Sequence, residues 1–167
     1  MSKKSKIFGE ADIHQKIKRL AWQIYENNLV EKEIFIVGIS DRGFILANKL
    51  NIIINQISDI SIKLGRLDLD KEEPYNKKVS LNISEEEFAE SVIILVDDVL
   101  NSGKTLMFAT KHFLNKPLSK LSVLVLVERN HNNYPIKADY VGISLATTFQ
   151  EYVKVDLSGS NKGIYLC

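Results

Sequence analysis

The feature that most constrains this chain is the segment of residues 92–105, which reads VIILVDDVLNSGKT. Its first five residues form a continuous run of β-branched and aliphatic side chains, which is typical of a strand buried on both faces of a parallel sheet. Asp97 and Asp98 stand at the carboxyl end of that strand. Small residues at 101–103 predict a turn, and a helical pattern begins at Lys104. The segment therefore predicts a strand, an acidic pair, a turn and a helix N-terminus in succession.

These parts suit a sugar phosphate. The amides of a turn that leads into a helix have no partner inside the helix, and the helix dipole adds positive charge, so a phosphate binds there readily. Ser102 and Thr105 can add hydroxyl donors, and Gly103 lets the backbone approach the anion without a Cβ atom. Asp97 and Asp98 would repel that phosphate, so they suit the vicinal hydroxyls of a ribose further along the ligand. We expect Asp98 and Thr105 on a solvent-facing loop.

Two other interpretations of the segment are weaker. The nucleotide P-loop shares the Gly103-Lys104-Thr105 ending, but Asp98 stands where that motif needs its first glycine. A buried strand that ends in an N-cap aspartate accounts for one acidic residue only.

Three segments of the chain are similar to type I phosphoribosyltransferases, whose donor substrate is 5-phosphoribosyl-1-diphosphate (PRPP). Residues 92–105 resemble the PRPP signature of that family. Residues 36–46, IVGISDRGFIL, resemble its pyrophosphate loop. Residues 125–157 resemble the base-binding end of one branch, the pyrimidine-operon attenuator proteins that are also uracil phosphoribosyltransferases. The likeness runs from Asp12 to Leu157 and weakens over residues 68–90.

The resemblance implies an enzyme of nucleotide salvage that transfers the 5-phosphoribosyl group from PRPP to a nucleobase and releases pyrophosphate. It implies that Asp97 and Asp98 hold the ribose hydroxyls and that Arg42 adds charge beside the pyrophosphate. Mg²⁺ would enter with PRPP near the two aspartates, held mainly by substrate oxygens and not by the protein alone. The residues implied in binding the 5-phosphate and the pyrophosphate are Leu100, Asn101, Ser102, Gly103, Lys104, Thr105, Ser40, Asp41 and Gly43.

Several positions depart from the family pattern. Asp41 stands where these pyrophosphate loops carry an uncharged or basic residue, and its carboxylate repels pyrophosphate unless Mg²⁺ or Arg42 screens it. Residues 68–76, DLDKEEPYN, occupy the place of the flexible active-site hood but are acidic and lack an arginine after the strand. Arg66 precedes them. Family members hold the pyrophosphate loop with a non-proline cis peptide, which we expect near Ser40-Asp41.

The base is predicted from four positions. Purine enzymes of this class carry an aspartate at the position of Asn101 and a lysine near Glu128, and both are absent here. Phe149 is similar to the aromatic residue on which purine enzymes stack the base, whereas the uracil branch has a basic residue there; packing in the core is the alternative. The family also contacts the base through backbone groups around Gln150. The balance favours uracil, and a 6-oxopurine phosphoribosyltransferase is the alternative.

Alternation of strands and helices predicts an α/β fold with a mostly parallel, twisted sheet flanked by helices on both faces. The resemblance adds a small hood made by the N-terminal and C-terminal segments. Asp12 and Gln15 resemble a capping box at the first helix. Residues 71–82 predict an exposed loop. Strands are predicted over 34–39, 61–69, 92–96, 121–127, 140–143, 152–157 and 164–166, and helices over 12–25, from 43 onward and over 103–114.

Composition is that of an ordinary globular enzyme. A chain of 167 residues predicts a single domain, and 22 basic against 21 acidic residues give no global charge that would indicate nucleic acid or a membrane. With Cys167 as its single cysteine, the chain has no intrachain disulfide, and no segment resembles a signal peptide or a membrane span. We therefore expect a cytoplasmic protein. The three histidines are far apart, so a protein-built metal site is not expected.

The attenuator branch implies a second class of function, an RNA-binding transcription attenuator that senses nucleotides at the PRPP site. Phosphate contacts dominate affinity for RNA, so such a protein should concentrate basic side chains on one face. Lys16, Lys18 and Arg19 are candidates, although a solvated helix face is the simpler account of them. We also expect a homodimer or a larger homo-oligomer.

Overall fold

The apolar runs of the sequence become the central strands of a six-stranded sheet. The computed structural model describes residues 4–76 and 78–167. Within them the elements are β1 (Ser5–Phe8), α1 (Glu10–Glu26), β2 (Glu33–Ile39), α2 (Ser40–Ile57), β3 (Ser61–Asp68), β4 (Ser80–Leu81), α3 (Glu85–Phe88), β5 (Val92–Leu100), α4 (Lys104–Phe113), β6 (Lys120–Arg129), β7 (Tyr140–Leu145), β8 (Val153–Asp156) and β9 (Gly163–Leu166).

The main sheet has the strand order β4-β3-β2-β5-β6-β7. Strands β3, β2, β5, β6 and β7 are parallel, and β4 is an antiparallel strand at one edge. From β2 the chain proceeds to β3 on one side, whereas from β5 it proceeds to β6 and β7 on the other. The strand order thus reverses between β2 and β5. A crevice forms outside the carboxyl ends of the strands at such a switch point, and ligands of open α/β sheets bind there.

Helices cover both faces because successive residues of a strand point to opposite sides. Ile34 and Ile36 of β2 pack in one apolar cluster with α1 and α2, and Phe35 and Val37 pack in the other with α3 and α4. In the second cluster the rings of Phe88 and Phe113 meet edge to face, with centroids 5.0 Å apart. The predicted α/β architecture is confirmed.

A second sheet is built from both ends of the chain. Its three antiparallel strands have the order β1-β9-β8. Leu157 and Ile164 of this region reach the cluster that contains α1 and α2, so the small sheet is continuous with the main core. Lys162 also pairs with Glu10 at the start of α1, with 2.6 Å between Nζ and Oε1. This sheet is the predicted hood.

Some predicted boundaries and caps were wrong. Strand β5 does not end at Val96 but continues through both aspartates to Leu100, because it pairs with β6 along that length. Asp12 is not the N-cap of α1: that position is Gly9, whose N–H donates to Asp12 Oδ2 at 2.9 Å. Strand β1, helix α3 and the two-residue strand β4 within the predicted loop were not foreseen. Among residues 4–76 and 78–167, no helix combines the length and the apolar character needed to span a bilayer.

A close approach of α2 to β2 gives the first testable prediction. A Cβ atom on Gly38 would collide with the backbone of Phe44 and would lie 2.5 Å from the carbonyl oxygen of Gly43. The turn would have to open, so Gly38→Ala should lower the free energy of unfolding by about 1–3 kcal/mol, measured by urea denaturation. The control is Gly9→Ala, where the added Cβ meets only Asp12 Oδ2 at 3.7 Å. Equal stability of the two variants would contradict the assigned packing.

Candidate active site

A polar cleft opens at the carboxyl ends of β2 and β5, where the strand order reverses. Its volume is about 430 Å³, within the range of small-molecule sites. Most of its lining comes from residues 97–106, which are the last residues of β5, the turn that follows and the first residues of α4. The lining residues are Arg42, Lys71, Glu72, the run 97–106, Arg129, Tyr152 and Val153.

The two aspartates of β5 are buried in the floor of this cleft. Asp97 is 2% exposed and Asp98 is 4% exposed. The expectation that Asp98 and Thr105 lie on a solvent-facing loop was wrong, because Asp98 lies in a paired strand and Thr105 in the first turn of α4. The N–H of Asp98 donates to Asp97 Oδ1 at 2.9 Å, and Lys71 Nζ lies 3.3 Å from the same oxygen. In the described residues, Asp98 Oδ2 is buried and accepts no hydrogen bond. Arg42 Nη1 lies 3.7 Å from Asp98 Oδ2, so the two groups form an ion pair but are too far apart for a hydrogen bond.

Burial makes the ionised form of this pair unfavourable. Desolvation raises the pKa of Asp97 to about 7, since a carboxylate out of water loses its hydration. The neighbouring charge of Asp98 raises the pKa further, whereas Lys71 opposes the shift. A carboxyl group whose pKa is shifted this far by burial in a cleft is a candidate functional group.

The turn at residues 101–103 is anchored from outside the cleft. The carbonyl of Ser102 accepts hydrogen bonds from the amides of Asn133 and Tyr134, at 2.9 and 3.1 Å. Gly103 has φ +83°, and a Cβ atom there would lie 2.7 Å from Cγ2 of Ile136. Glycine is therefore required by the backbone conformation and by Ile136; the approach of an anion, which the sequence suggested, stays a prediction. Helix α4 begins at Lys104, and the first amides of a helix have no partner within it.

Residues 40–43, which resemble the pyrophosphate loop, form the first turn of α2, so this helix begins earlier than the predicted residue 43. They contribute one side chain to the cleft, Arg42. Every peptide bond in the described residues is trans, so the cis bond expected near Ser40-Asp41 is absent. The sharp turn from β2 into α2 is made by Ser40, whose φ of 55° lies in the left-handed region. Gly43 packs against β5, where a Cβ atom would lie 2.6 Å from the carbonyl oxygen of Val96. Ser40, Asp41 and Gly43 do not line the cleft.

Asp41 is balanced by a cation that the sequence interpretation left unassigned. Arg66 Nη2 lies 2.8 Å from Asp41 Oδ1, and Arg66 Nε lies 2.9 Å from Asp68 Oδ2. Hydrogen bonds to Asp68 and then to Asp41 raise the pKa of Arg66. The expected partner of Asp41, Arg42, instead lies beside Asp98. The carboxylate of Asp41 is thus directed to β3.

The predicted base-binding residues lie outside the cleft lining. Phe149 is 91% exposed, which rules out the core-packing alternative, and its ring centroid lies 4.6 Å from that of His131. Gln150 is exposed on the same loop. Glu128 Oε2 accepts a hydrogen bond of 3.1 Å from the hydroxyl of Ser144 on β7.

The cleft residues that the sequence interpretation missed include Lys71, Arg129 and Tyr152. Glu128 and Arg129 follow the apolar run of β6 as Asp97 and Asp98 follow the apolar run of β5, so a pair of charged residues after an apolar run was a signal that could have identified Arg129. Lys71 and Tyr152 offered no such signal.

The sequence and the fold together define the class of this protein. The phosphoribosyl transferase domain family matches residues 7–156, and the chain belongs to that family. It is a phosphoribosyltransferase by fold and by sequence.

Individual relatives extend this assignment. "Bifunctional protein PyrR" of Clostridium acetobutylicum is 34% identical over 166 residues, which cover 95% of this chain and 93% of the relative. The protein of the same name from Oceanobacillus iheyensis is 33% identical over 171 residues, with the same two coverages, 95% and 93%.

Solved structures share the fold at lower identity. A hypoxanthine-guanine phosphoribosyltransferase from Bacillus anthracis superposes with a TM-score of 0.78 at 21% identity and covers 96% of this chain and 95% of that one. The hypoxanthine phosphoribosyltransferase of Trypanosoma cruzi gives a TM-score of 0.79 at 14% identity, with 97% and 95% covered. At these identities the likeness concerns the fold.

The burial of Asp97 gives a pH-dependent prediction. Between pH 4 and pH 7, folded Asp97 keeps a proton that the unfolded chain, with the ordinary pKa of 3.8, has released. The free energy of unfolding should therefore fall as the pH rises through this interval, by up to about 4 kcal/mol, and then stay level above it. Urea denaturation from pH 4.5 to 8 should show this component in the wild type and not in Asp97→Asn. Asp59→Asn, which alters an exposed carboxylate, is the control; parallel curves for Asp97→Asn and the wild type would refute the assignment.

Proposed function

We propose that the chain is one phosphoribosyltransferase domain, residues 1–167, that transfers the 5-phosphoribosyl group from PRPP to uracil and releases pyrophosphate. One observation carries the proposal. A buried aspartate pair, with an oxygen of Asp98 that accepts no hydrogen bond, lies in one cleft with a turn and a helix N-terminus suited to phosphate.

The 5-phosphate is assigned to residues 100–105. The first amides of α4 and the hydroxyls of Ser102 and Thr105 supply donors, and the charge of Lys104 adds attraction. Lys104 Nζ is also held by the carbonyl oxygen of Glu72, 2.5 Å away, so the acidic loop lies beside this end of the cleft. Leu100 and Asn101 complete the segment between the aspartates and the turn.

The ribose hydroxyls are assigned to Asp97 and Asp98. Asp98 Oδ2 is a buried acceptor that no described residue satisfies, and a hydroxyl donor would remove that deficit. A negative charge carried by this pair near C1 also favours the positive charge that develops there as the bond to pyrophosphate breaks. Positioning and electrostatics therefore account for the work of these residues.

The leaving pyrophosphate is assigned to residues 40–43, with Arg42 as the positively charged side chain. Arg42 lines the cleft, and its side chain is 55% exposed, so it can turn from Asp98 to an incoming anion. Ser40, Asp41 and Gly43 would contribute backbone groups. Because Arg66 pairs with Asp41, the repulsion expected from that carboxylate is reduced without Mg²⁺.

Magnesium fits the site as a partner of PRPP. The oxygens of Asp97 and Asp98 are of the type that Mg²⁺ prefers, and the unsatisfied oxygen of Asp98 is the observation that supports the fit. Within the described residues, no group of three metal-binding side chains comes together, so the ligand would supply the other oxygens. The ion would neutralise charge on the pyrophosphate as it leaves.

Uracil is proposed as the base from the residues around the cleft. Asn101, which lines it, has no charge with which to accept a purine proton. Glu128 offers an acceptor where a purine enzyme needs a donor to the 6-oxo group. Phe149 is exposed and available for stacking, which tolerates either class of base. Gln150 shares that loop, and its backbone is assigned to base contacts.

Transcription attenuation through RNA is less well supported. The relatives carry the name bifunctional protein, and the resemblance implies two functions. Of the three basic candidates on α1, Arg19 is engaged by the carbonyls of Val141 and Gly142, at 3.1 and 2.6 Å. Lys16 Nζ lies 4.6 Å from the ring centroid of Phe8. The enzyme is therefore the primary proposal; a homo-oligomer and a cytoplasmic location stay predictions.

Substitutions in the acceptor pair and in the phosphate segment should weaken PRPP binding. Thr105→Ala removes one hydrogen bond to a charged phosphate, which is worth about 1.5–3 kcal/mol, or roughly tenfold to 150-fold in Kd. Asp98→Asn keeps the shape and removes the charge that the ribose hydroxyls contact, with a loss of at least about tenfold. Isothermal titration calorimetry with PRPP and Mg²⁺ measures both.

The control for Thr105→Ala is Thr110→Ala, which lies on the same helix and does not line the cleft. Circular dichroism checks that Asp98→Asn, a change at a buried site, keeps the fold. Unchanged PRPP affinity in both folded variants would overturn the assignment.

A panel of bases tests the acceptor specificity. With PRPP and Mg²⁺, uracil should give a higher kcat/KM than hypoxanthine or guanine, measured as pyrophosphate release. Two acceptors that face each other in a partly desolvated site cost about 1–3 kcal/mol, or roughly tenfold to 200-fold in discrimination. A higher kcat/KM with either purine would contradict the argument from Asn101 and Glu128.

The double variant Asn101→Asp with Glu128→Lys refines that test. It supplies a charged proton acceptor and a donor for the 6-oxo group, so selectivity should move toward purines. The single variants separate the two contributions, because Asn101 lines the cleft and Glu128 does not. If the double variant keeps the wild-type selectivity, backbone contacts near Gln150 decide the base.

A further inference from the structure

Arg129 is a buried cation at the edge of the cleft that the mechanism above does not use. It ends strand β6, is 5% exposed and lines the same cleft as Asp97 and Asp98. No carboxylate of the described residues lies within ion-pair distance of its guanidinium group, although a buried charge normally has such a partner. The position therefore calls for an explanation other than a salt bridge.

The guanidinium group is held by one loop. Its Nε donates to Thr147 Oγ1 at 2.8 Å, and its Nη2 donates to the carbonyl oxygens of Thr148 and Glu151 at 3.1 and 2.6 Å. All three acceptors lie in residues 146–152, which we call the base loop. Phe149 and Gln150, the residues assigned to the base, lie between them.

The end of the base loop is fixed by two backbone hydrogen bonds between Tyr152 and Cys167, at 2.9 and 3.0 Å. Within the loop, the N–H and the hydroxyl of Thr148 both donate to Glu151 Oε2, at 2.8 and 2.9 Å. These two bonds lower the pKa of Glu151, and the positive charge of Arg129 adds to that effect. His131 Nε2 lies 2.8 Å from the carbonyl oxygen and 3.3 Å from Oγ1 of Thr147, and the His131 ring lies against that of Phe149. Arg129 is the residue whose guanidinium group bonds to both arms of the loop, on either side of Phe149 and Gln150, and joins them to the end of β6.

We propose that Arg129 is the positioning residue of the base subsite: it fixes the base loop to the carboxyl end of β6 and so sets where Phe149 and Gln150 stand relative to the ribose. This proposal rests on the proposed transferase function. An arginine suits the task, because its planar fork reaches acceptors on two sides at once, whereas the ammonium of a lysine cannot. The β6 strand, rigid and buried, sets the position of the fork.

The proposal distinguishes binding of the base from binding of PRPP. Arg129→Lys keeps the charge and loses the fork, and Arg129→Gln loses both. Each should raise the KM for uracil about tenfold or more, with the KM for PRPP changed less than about threefold, because the lost hydrogen bonds hold only the base loop. The preference for uracil over hypoxanthine in kcat/KM should narrow in the same variants.

Arg19→Lys is the matched control. Arg19 also donates to two backbone carbonyls, those of Val141 and Gly142, but it lies on α1 and does not line the cleft. Its substitution should leave the KM for both substrates unchanged. Should Arg129→Gln fail to fold, Arg129→Lys, which keeps the buried charge, carries the test.

Hydrogen exchange provides a readout that needs no activity. In Arg129→Lys, the amides of residues 147–152 should exchange about tenfold faster than in the wild type, while those of β6 keep their protection. Unchanged exchange in the base loop overturns the proposal, and so does a rise in the KM for PRPP with that for uracil unchanged. A wild-type chain that releases no pyrophosphate with any base would refute the proposed function instead, and the exchange measurement would still decide the role of Arg129.

Discussion

Two adjacent carboxylates buried at the end of the central strand impose conditions on everything around them. A carboxylate removed from water is unfavourable unless cations or hydrogen-bond donors surround it. Around Asp97 and Asp98 the protein provides Lys71 and Arg42, and one oxygen of Asp98 is left without a donor. A buried carboxylate oxygen without a hydrogen-bond donor lowers the stability of the fold, and such destabilising groups are found at functional sites. The pair thus explains why the cleft has cations on its rim.

The charge of Asp41, beside the cleft, is balanced by residues of the adjacent strand. Asp41 of α2 and Asp68 of β3 share Arg66, so three charges from these two elements form one group. Because Gly38 pairs with Arg66 in the parallel register of these strands, the arginine is held beside the start of α2. Arg42 is then free to lie toward Asp98. Lys71, in the acidic segment after β3, contacts Asp97 in the cleft, and Lys104 of α4 donates to the carbonyl oxygen of Glu72 in the same segment.

Features that depend on neighbouring residues were predicted from the sequence, whereas features that depend on contacts between distant parts of the chain were not. The strand at Val92, the turn at residues 101–103 and the helix at Lys104 were found because apolar runs, small residues and helical spacing are local signals. The placement of Arg66 against Asp41 could not be found, since it depends on the pairing of two strands. The packing constraint on Gly103 could not be found, because Ile136, the side chain that excludes a Cβ atom, comes from a distant loop. Phe149 could not be placed inside or outside the core until the base loop had a position.

The strand pairing of the hood also affects the order in which the chain can fold during synthesis. Strand β1 pairs with β9, and β9 pairs with β8, so β1 cannot pair until β9 has been synthesised. A ribosome delivers residues 5–8 long before residues 163–166, whereas every strand of the main sheet is complete by residue 145. During that interval β1 is an unpaired edge, the kind of segment that recruits other chains. Lys4 and Lys6 place positive charge on the unpaired edge of β1 during this interval. In the folded protein their ammonium groups lie beside the ring of Tyr165.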